Sequence, residues 1–522
     1  MRKPVGAWVP WASGALCAAW ALVAWVSVIP NQDILADGIQ AQSLVFDPRI
    51  VLAFPGQKHG GPLEYPATVF FEWVLPGNYY ANAVVRIVLA FLTGFLSARL
   101  AFCLFPRTRT WALLTAVALG PTMIHGLQPP GVWWMQPNYD MAWLLVVAGS
   151  LLFASNQDAC KRMRSRKLGL AFAFLAGLLV GLGLFAHPII ILLAVPLGVL
   201  VLLLKGTNLS QLLLLLSGVS LGLAPAVTSY FVNDDLNVWD PSHKPFIYPA
   251  WIWNMGRTAL GLDGVPDPLT ALFPYALGFS PTQEPFGGVL QTLVVILVLL
   301  ASVIVTVVGV FRSVRSRAWL SPATSLAITW LVVAATMVVY ITVADPVSHY
   351  SAGLAPLAWI SIGALPSLTD SRLLGSSLAI VILIQFGLSS WGQNSSYLTS
   401  IPDRVKLKAQ TQEDMFKTAD ALQSEGVEII FGSYLDAIPI GYASNWNLRT
   451  ITIKYNRFPL SASEQERDSY RTAVQLDGRG EPAAQALQLV LDECRVVSQS
   501  LELPVGTFMI AECPTDTLVL GN

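Results

Sequence analysis

Residues 161–205 read KRMRSRK-LGLAFAFLAGLLVGLGLFA-HP-IIILLAVPLGVLVLLLK, and this stretch decides the fold. A block of cations (Lys161, Arg162, Arg164, Arg166, Lys167) leads into an apolar run over 168–186. His187-Pro188 breaks it, a second run covers 188–204, and Lys205 closes the stretch. Neither run carries a charge, so neither offers water a polar face. Apolar runs of about 20 residues cross the roughly 30 Å hydrocarbon core of a bilayer as helices. The break folds the second run back beside the first, which leaves the cations at both ends on one side.

Working outward, similar stretches lie at 8–29, 80–105, 110–126, 139–155, 211–232, 289–311, 324–344, 351–368 and 373–391, giving about eleven spans in all. Arg2 and Lys3 precede the first span. Arg107 and Arg109 follow the second, Arg312, Arg315 and Arg317 the eighth, and Arg372 the tenth. With this count every cationic connection falls on one side. Positive residues stay in the cytoplasm, so the N-terminus is expected inside and the C-terminus outside the cytoplasmic membrane. The opening run lacks a small-residue cleavage site and reads as a span rather than a signal peptide.

Composition agrees. The chain has 522 residues, 12% of them charged, with a mean hydropathy of +0.57. These values place it among polytopic membrane proteins. A net charge of -1 leaves no basic footprint for nucleic acid. Cys17, Cys103 and Cys160 lie in or beside apolar runs without metal-ligand spacing. Cys494 and Cys513 lie in a polar tail, where an extracytoplasmic compartment permits a disulfide; two buried thiols fit the spacing equally well.

The expected organisation is an α-helical membrane domain over 1–391 and an extracytoplasmic α/β domain over 392–522. Outer loops cover 31–79, 127–139 and 233–288. In the tail, Thr411 is expected to cap a helix whose apolar face is Met415, Phe416, Ala419 and Leu422, with Gly426 ending it. Strands are expected at 427–431, 449–455 and 505–511. A second helix opens at Pro482 and shows Leu487, Val490, Leu491 and Cys494 on one side.

On this topology His59, His125, His187, His243 and His349 all fall at or near the outer face, with Asp33, Asp37, Glu64, Asp140 and Asp345. Asp33 and Asp37 are one helical turn apart in the first outer loop and suit a general base for a hydroxyl nucleophile; acidic residues are also common in outer loops. Gly56, Gly60 and Gly61 flank Lys58 and His59, a string that fits either an anion cradle or a plain turn. Arg86 lies inside the second span, about two turns below its outer end, facing an anionic partner or snorkelling outward. Asp140 opens the fourth span after Trp133-Trp134. In the third loop Asp240, His243, Lys244 and Arg257 mix with Trp239, Trp251 and Trp253, which fits a phosphate and a sugar ring or a loop resting on the interface. No histidine pair has ligand spacing, so a divalent metal is the minor reading.

These features together resemble the GT-C glycosyltransferases, above all the group of protein O-mannosyltransferases and lipid A aminoarabinose transferases. Their first loop opens Asp-Glu, with a small residue eight positions after the Asp and Leu or Met eleven after it. Here Asp33 is followed by Ala41 and Leu44 at those offsets, while Ile34 replaces the Glu and Gln42 an Arg frequent there. Gly56 to Glu64 is similar to a Gly-Gln-x-x-Gly-Gly-x-Leu-Glu string of uncharacterised bacterial members, and Arg86 to an arginine in their second span. Tyr434, Asp436, Tyr442 and Arg457-Phe458-Pro459 resemble a pattern in their tails.

The resemblance implies transfer of a sugar from a polyprenyl-phosphate carrier to an acceptor hydroxyl on a protein, lipid or glycan, with inversion; the donor is the polyprenyl-phosphate sugar, and a divalent metal stays the minor reading. Asp33 is the implied base, with Asp37 and Asp140 as further acids. Lys58, His59, Glu64, Arg86, His243, Arg257 and His349 are the implied substrate contacts. Two other readings stand beside it. A lipid flippase needs polar groups at mid-depth in several spans and a repeat between halves, neither of which is visible. An inactive scaffold is compatible with the missing Glu.

Overall fold

The computed structural model describes residues 6–27, 61, 63–74, 78–106, 108, 110–111, 113–117, 137–163, 166–187, 190–226, 228, 311, 315, 321–343, 355–368, 372–444, 447–453, 465–478 and 480–520. Two compact units emerge. One holds Met1–Trp25, Arg86–Ala224 and Pro241–Ser400; the other holds Val26–Val85, Pro225–Asp240 and Ile401–Asn522.

The helices met in chain order are α1 (Val9–Ser27), α2 (Tyr65–Val74), α3 (Asn78–Leu104), α4 (Pro137–Met163), α5 (Arg166–Ala186), α6 (Ile191–Lys205), α7 (Leu209–Gly222), α8 (Pro322–Val343), α9 (Ala355–Leu368) and α10 (Arg372–Ser424). Among the described residues, Val9–Ser27, Ala83–Leu104, Lys167–Ala186 and Leu209–Ala226 are long and apolar enough to cross a membrane, while Ile191–Lys205 and Pro322–Thr336 are shorter apolar helices. The apolar runs at 168–186 and 188–204 are indeed two helices, α5 and α6. His187 closes α5 through its amide bond to the Gly183 carbonyl, and its own carbonyl receives the Ile190 amide.

In the first unit, α5 packs against α4 and α7, and α6 against α4 and α8. The α5–α7 contact is built on glycine. Gly177 and Gly181 of α5 meet Gly218 and Gly222 of α7, each pair one turn apart. A Cβ on Gly177 would sit 1.9 Å from the Leu215 oxygen, and one on Gly218 would sit 2.1 Å from that of Phe174. Only bare backbone permits this approach, and small-xxx-small seams are how apolar helices gain contact where no hydrophobic drive exists. Asn208 and Gln211 form a capping box that starts α7 after Lys205. Near the C-terminal end of α4, Asn156 Nδ2 donates to the Gly169 carbonyl of α5 at 3.1 Å.

α10 runs unbroken from Arg372 to Ser424, straight past position 391, and its residues from Ile401 onward belong to the second unit. Thr411 therefore caps nothing: it lies inside the helix, and its hydroxyl donates to the Leu407 carbonyl one turn back, a bond open to any mid-helix threonine. Gly426, at φ +72°, ends the helix, and the Val427 amide bonds back to Leu422.

There follow β1 (Ile429–Gly432), α11 (Tyr434–Ala443), β2 (Arg449–Thr452), β3 (Ser469–Gln475), α12 (Gly480–Glu493), β4 (Arg495–Leu503), β5 (Gly506–Pro514) and α13 (Thr515–Leu520). The sheet order is β2-β1-β3-β5-β4. Its β2-β1-β3 half is parallel, and β5 pairs antiparallel with β3 and β4.

Alternation along the strands fills two cores. Ile429, Phe431, Val474 and Met509 pack with Ala486 and Val490 of α12 and Leu518 of α13. Ile430, Ala473, Phe508 and Ile510 pack on the opposite face with Ala419 and Leu422 of α10 and Ala437 and Ile440 of α11. A disulfide joins Cys494, after α12, to Cys513 of β5.

Candidate active site

Three of the residues implied as catalytic or substrate-contacting are described. Arg86 lies in α3 and is 2% exposed; Asp140 lies in the first turn of α4 and is 1% exposed. The two lie within electrostatic reach of one another. Asp140 gains from its position as well, because the N-terminal turn of a helix carries partial positive charge. Among the described residues its Oδ2 finds no hydrogen-bond donor.

Cys17 of α1, which the sequence did not mark for the site, lies within electrostatic reach of Asp140. What brings Cys17 there is a second close glycine approach. A Cβ on Gly94 of α3 would meet Cys17 Sγ at 2.7 Å and the Ser13 carbonyl at 2.8 Å, and one on Gly14 of α1 would meet the Phe91 carbonyl at 2.8 Å. Trp11 packs edge-on against Phe95 at 4.9 Å along the same contact. Around the pair the first unit is apolar: Leu89 and Ala90 of α3 and Ala142 and Trp143 of α4 are all buried.

The third described residue, Glu64, belongs to the second unit. It is fully buried at the start of α2, and its carbonyl accepts both the amide and the hydroxyl of Thr68, at 3.0 and 3.3 Å. Asp33, Asp37, Lys58, His59, His243, Arg257 and His349 lie outside the described residues, as do His125, Asp345 and Arg457-Phe458-Pro459. His187, described and buried, sits at the α5–α6 turn. Among the described residues no group of His, Cys, Asp and Glu is placed to hold a metal ion.

An arginine is charged at any physiological pH, so the buried Arg86 guanidinium is a fixed cation. Such a cation can also hold a phosphate oxygen, to which its planar fork is matched.

No family model matches the chain, and neither does any curated protein. Solved structures similar to it do exist. ArnT from Cupriavidus metallidurans bound to undecaprenyl phosphate is 10% identical at a TM-score of 0.49, over 95% of this chain and 97% of that one. ArnT in the apo state is 12% identical at 0.47, over 96% and 98%. The Archaeoglobus fulgidus oligosaccharyltransferase in the apo form is 11% identical at 0.42, over 84% and 64%. ArnT, an aminoarabinose transferase, and the oligosaccharyltransferase are both GT-C family members. Identities of this size carry no residue role across to this chain.

Proposed function

We propose that the chain is a membrane glycosyltransferase that takes a sugar from a polyprenyl-phosphate carrier and passes it to an acceptor hydroxyl on the outer side of the cytoplasmic membrane. The observation that carries this reading is Arg86, a permanent cation buried in an apolar helix near Asp140. Charge at this depth is costly and marks a functional group by default. A lipid-borne phosphate is the anion that reaches such a position from the bilayer. The disulfide in the tail supports an oxidising, extracytoplasmic location for that domain.

In the proposed reaction Asp33 accepts the proton of the acceptor hydroxyl as its oxygen attacks the anomeric carbon. The bond from that carbon to the phosphate oxygen breaks, and polyprenyl phosphate leaves with the electron pair. Attack from the face opposite the phosphate inverts the anomeric centre. Arg86, with Lys58 and Arg257, meets the charge that develops on the leaving phosphate. Asp37 and Asp140 are further acids of the site, and His59, Glu64, His243 and His349 contact substrate.

Arg86→Gln tests the carrying observation. A charge-assisted contact to phosphate contributes about 1.5–3 kcal/mol, so the variant in nanodiscs should bind polyprenyl phosphate about 10- to 100-fold more weakly. Arg86→Lys should retain part of the affinity. Unchanged binding in both variants removes Arg86 from the phosphate site.

A further inference from the structure

Buried hydroxyls of the apolar helices follow two patterns. Thr329 of α8 and Ser361 of α9 donate to the carbonyls of Ser325 and Leu357, one turn back in their own helices, at 2.8 and 2.7 Å. A hydroxyl closed in this way asks nothing of its surroundings. Ser13 of α1 and Thr93 and Ser97 of α3 behave differently. They are buried, and among the described residues their hydroxyls find no hydrogen-bond partner. Asp140 Oδ2, in the first turn of α4, is in the same position.

The close approach at Gly94 brings these groups into one row. A Cβ there would touch the Ser13 carbonyl and Cys17 Sγ, so Ser13 and Cys17, one turn apart in α1, both lie at this contact. Thr93 directly precedes Gly94. Counting back along α3 from Ser97, steps of four, three and four lead to Thr93, Ala90 and Arg86, which places all four on one helical face. Arg86 and Cys17 are each within electrostatic reach of Asp140. The row therefore has Asp140 and Arg86 at one end, Cys17 between, and three hydroxyls at the other.

A polar group left unmet inside an apolar bundle costs free energy, and native structures meet that need with protein groups or ordered water. The chemistry of the row selects the second. Hydroxyls donate and accept, a thiol donates weakly, and a carboxylate oxygen accepts, so both senses of hydrogen bond are on offer. The backbone contacts at Gly14 and Gly94 hold α1 and α3 too close for an organic ligand. Water is small enough, and it binds where two to four polar partners surround it.

We infer that α1, α3 and α4 enclose a row of internal waters that runs from Ser97 to Asp140 and gives the Asp140 carboxyl a path for its proton. Each water in such a row releases one proton as it gains another, so a proton taken up at one end is delivered at the other. The role of Asp140 as an acid of the reaction rests on the proposed transferase reading; the hydration of the row does not.

Cys17 serves as the reporter. With Cys103→Ala and Cys160→Ala, it carries the remaining free thiol, because Cys494 and Cys513 are bridged. The full chain in nanodiscs is moved from water to heavy water, and conversion of the S–H stretch to S–D is followed by infrared spectroscopy. Cys17→Ala assigns the band. The expected result is conversion at least tenfold faster in this background than after adding Ser13→Ala, Thr93→Val and Ser97→Ala, which line the row with methyl groups. Thermal unfolding of Thr93→Val gives a second reading. A hydroxyl that holds water stabilises, so its loss should lower the melting temperature; a hydroxyl buried dry is relieved by the same change, and the melting temperature rises.

Should the triple substitution prevent folding, Thr93→Val becomes the deciding variant in both measurements, with slower conversion expected. A Cys17 S–H band that persists in heavy water overturns the inference, as do equal conversion rates with and without the deciding substitutions. A higher melting temperature for Thr93→Val overturns it too. None of these measurements reads sugar transfer, so failure of the water row and failure of the transferase remain distinguishable.

Discussion

Arg86 and Asp140 lie within electrostatic reach of each other, and their coupling is measurable. Removing one partner of a buried charge pair leaves the other without compensation, at about 3–5 kcal/mol. Arg86→Met should therefore destabilise the protein by roughly 3 kcal/mol. Adding Asp140→Asn should recover part of that loss in a double-mutant cycle of thermal unfolding in detergent. Additive losses would show that the two groups do not interact.

Lys408 offers a second test at this scale. It is 5% exposed in the C-terminal part of α10, and burial pushes its ammonium down from 10.5 to about 8. Below pH 8 both folded and unfolded chains carry the proton, and the cost of burying the charge is present in full. Between about 8 and 10.5 only the unfolded chain binds it, so stability rises with pH. Lys408→Met should melt at higher temperature than the native chain at pH 7, and the gap should close by pH 10.5. Circular dichroism across that range checks it.

Arg86 and Asp140 were legible because a charge inside an apolar run stands out in sequence. Cys17 was not, since its place beside Asp140 comes from the Gly94 approach, which no local pattern announces. Thr411 was misread because capping residues and mid-helix threonines share one side chain, and only the continuity of α10 separates the two.

Among the elements, the glycine seam of α5 and α7 makes a sharp prediction. Gly218→Leu forces a side chain into the Phe174 carbonyl and should cost ~3 kcal/mol or more, as overpacking does at its severe end. At Gly198 in α6 a Cβ would meet nothing within 4 Å, and Gly198→Leu should be tolerated. Equal melting temperatures for both variants would contradict the seam. The tail disulfide is testable too: it closes a sequence separation of 19 residues, and Cys494→Ser with Cys513→Ser should lower stability by ~3 kcal/mol, read from the tail's melt.

Element by element, β1, β2, α12 and β5 were visible as short apolar or alternating runs with turn residues around them. Four elements of the tail were missed, α13 and three with a clear physical reason. α11 carries Pro439 and Gly441, both poor helix formers, and is held by packing of Ala437 and Ile440 on the sheet. β4 is an edge strand, largely exposed, with two breaks in its register. β3 hides Ala473 and Val474 among polar neighbours, and its place beside β1 is a long-range pairing.

For the whole molecule, composition and the cation pattern carried the class: long apolar helices, with a sheet in the tail. The boundary between the two parts was not legible at position 391. The polar run after Trp391 marks where composition changes, but a helix satisfies its backbone in water as well as in lipid, so α10 continues through it.

The central claim is glycosyl transfer from a polyprenyl-phosphate carrier with Asp33 as base, and one measurement meets it directly. The native chain and Asp33→Asn are reconstituted in nanodiscs with polyprenyl-phosphate-linked sugars and glycan acceptors, and released polyprenyl phosphate and extended acceptor are followed by mass spectrometry. The account predicts product from the native chain, and none above background from Asp33→Asn, which still binds the donor. Equal turnover in the variant, or donor binding without product from the native chain, would contradict it.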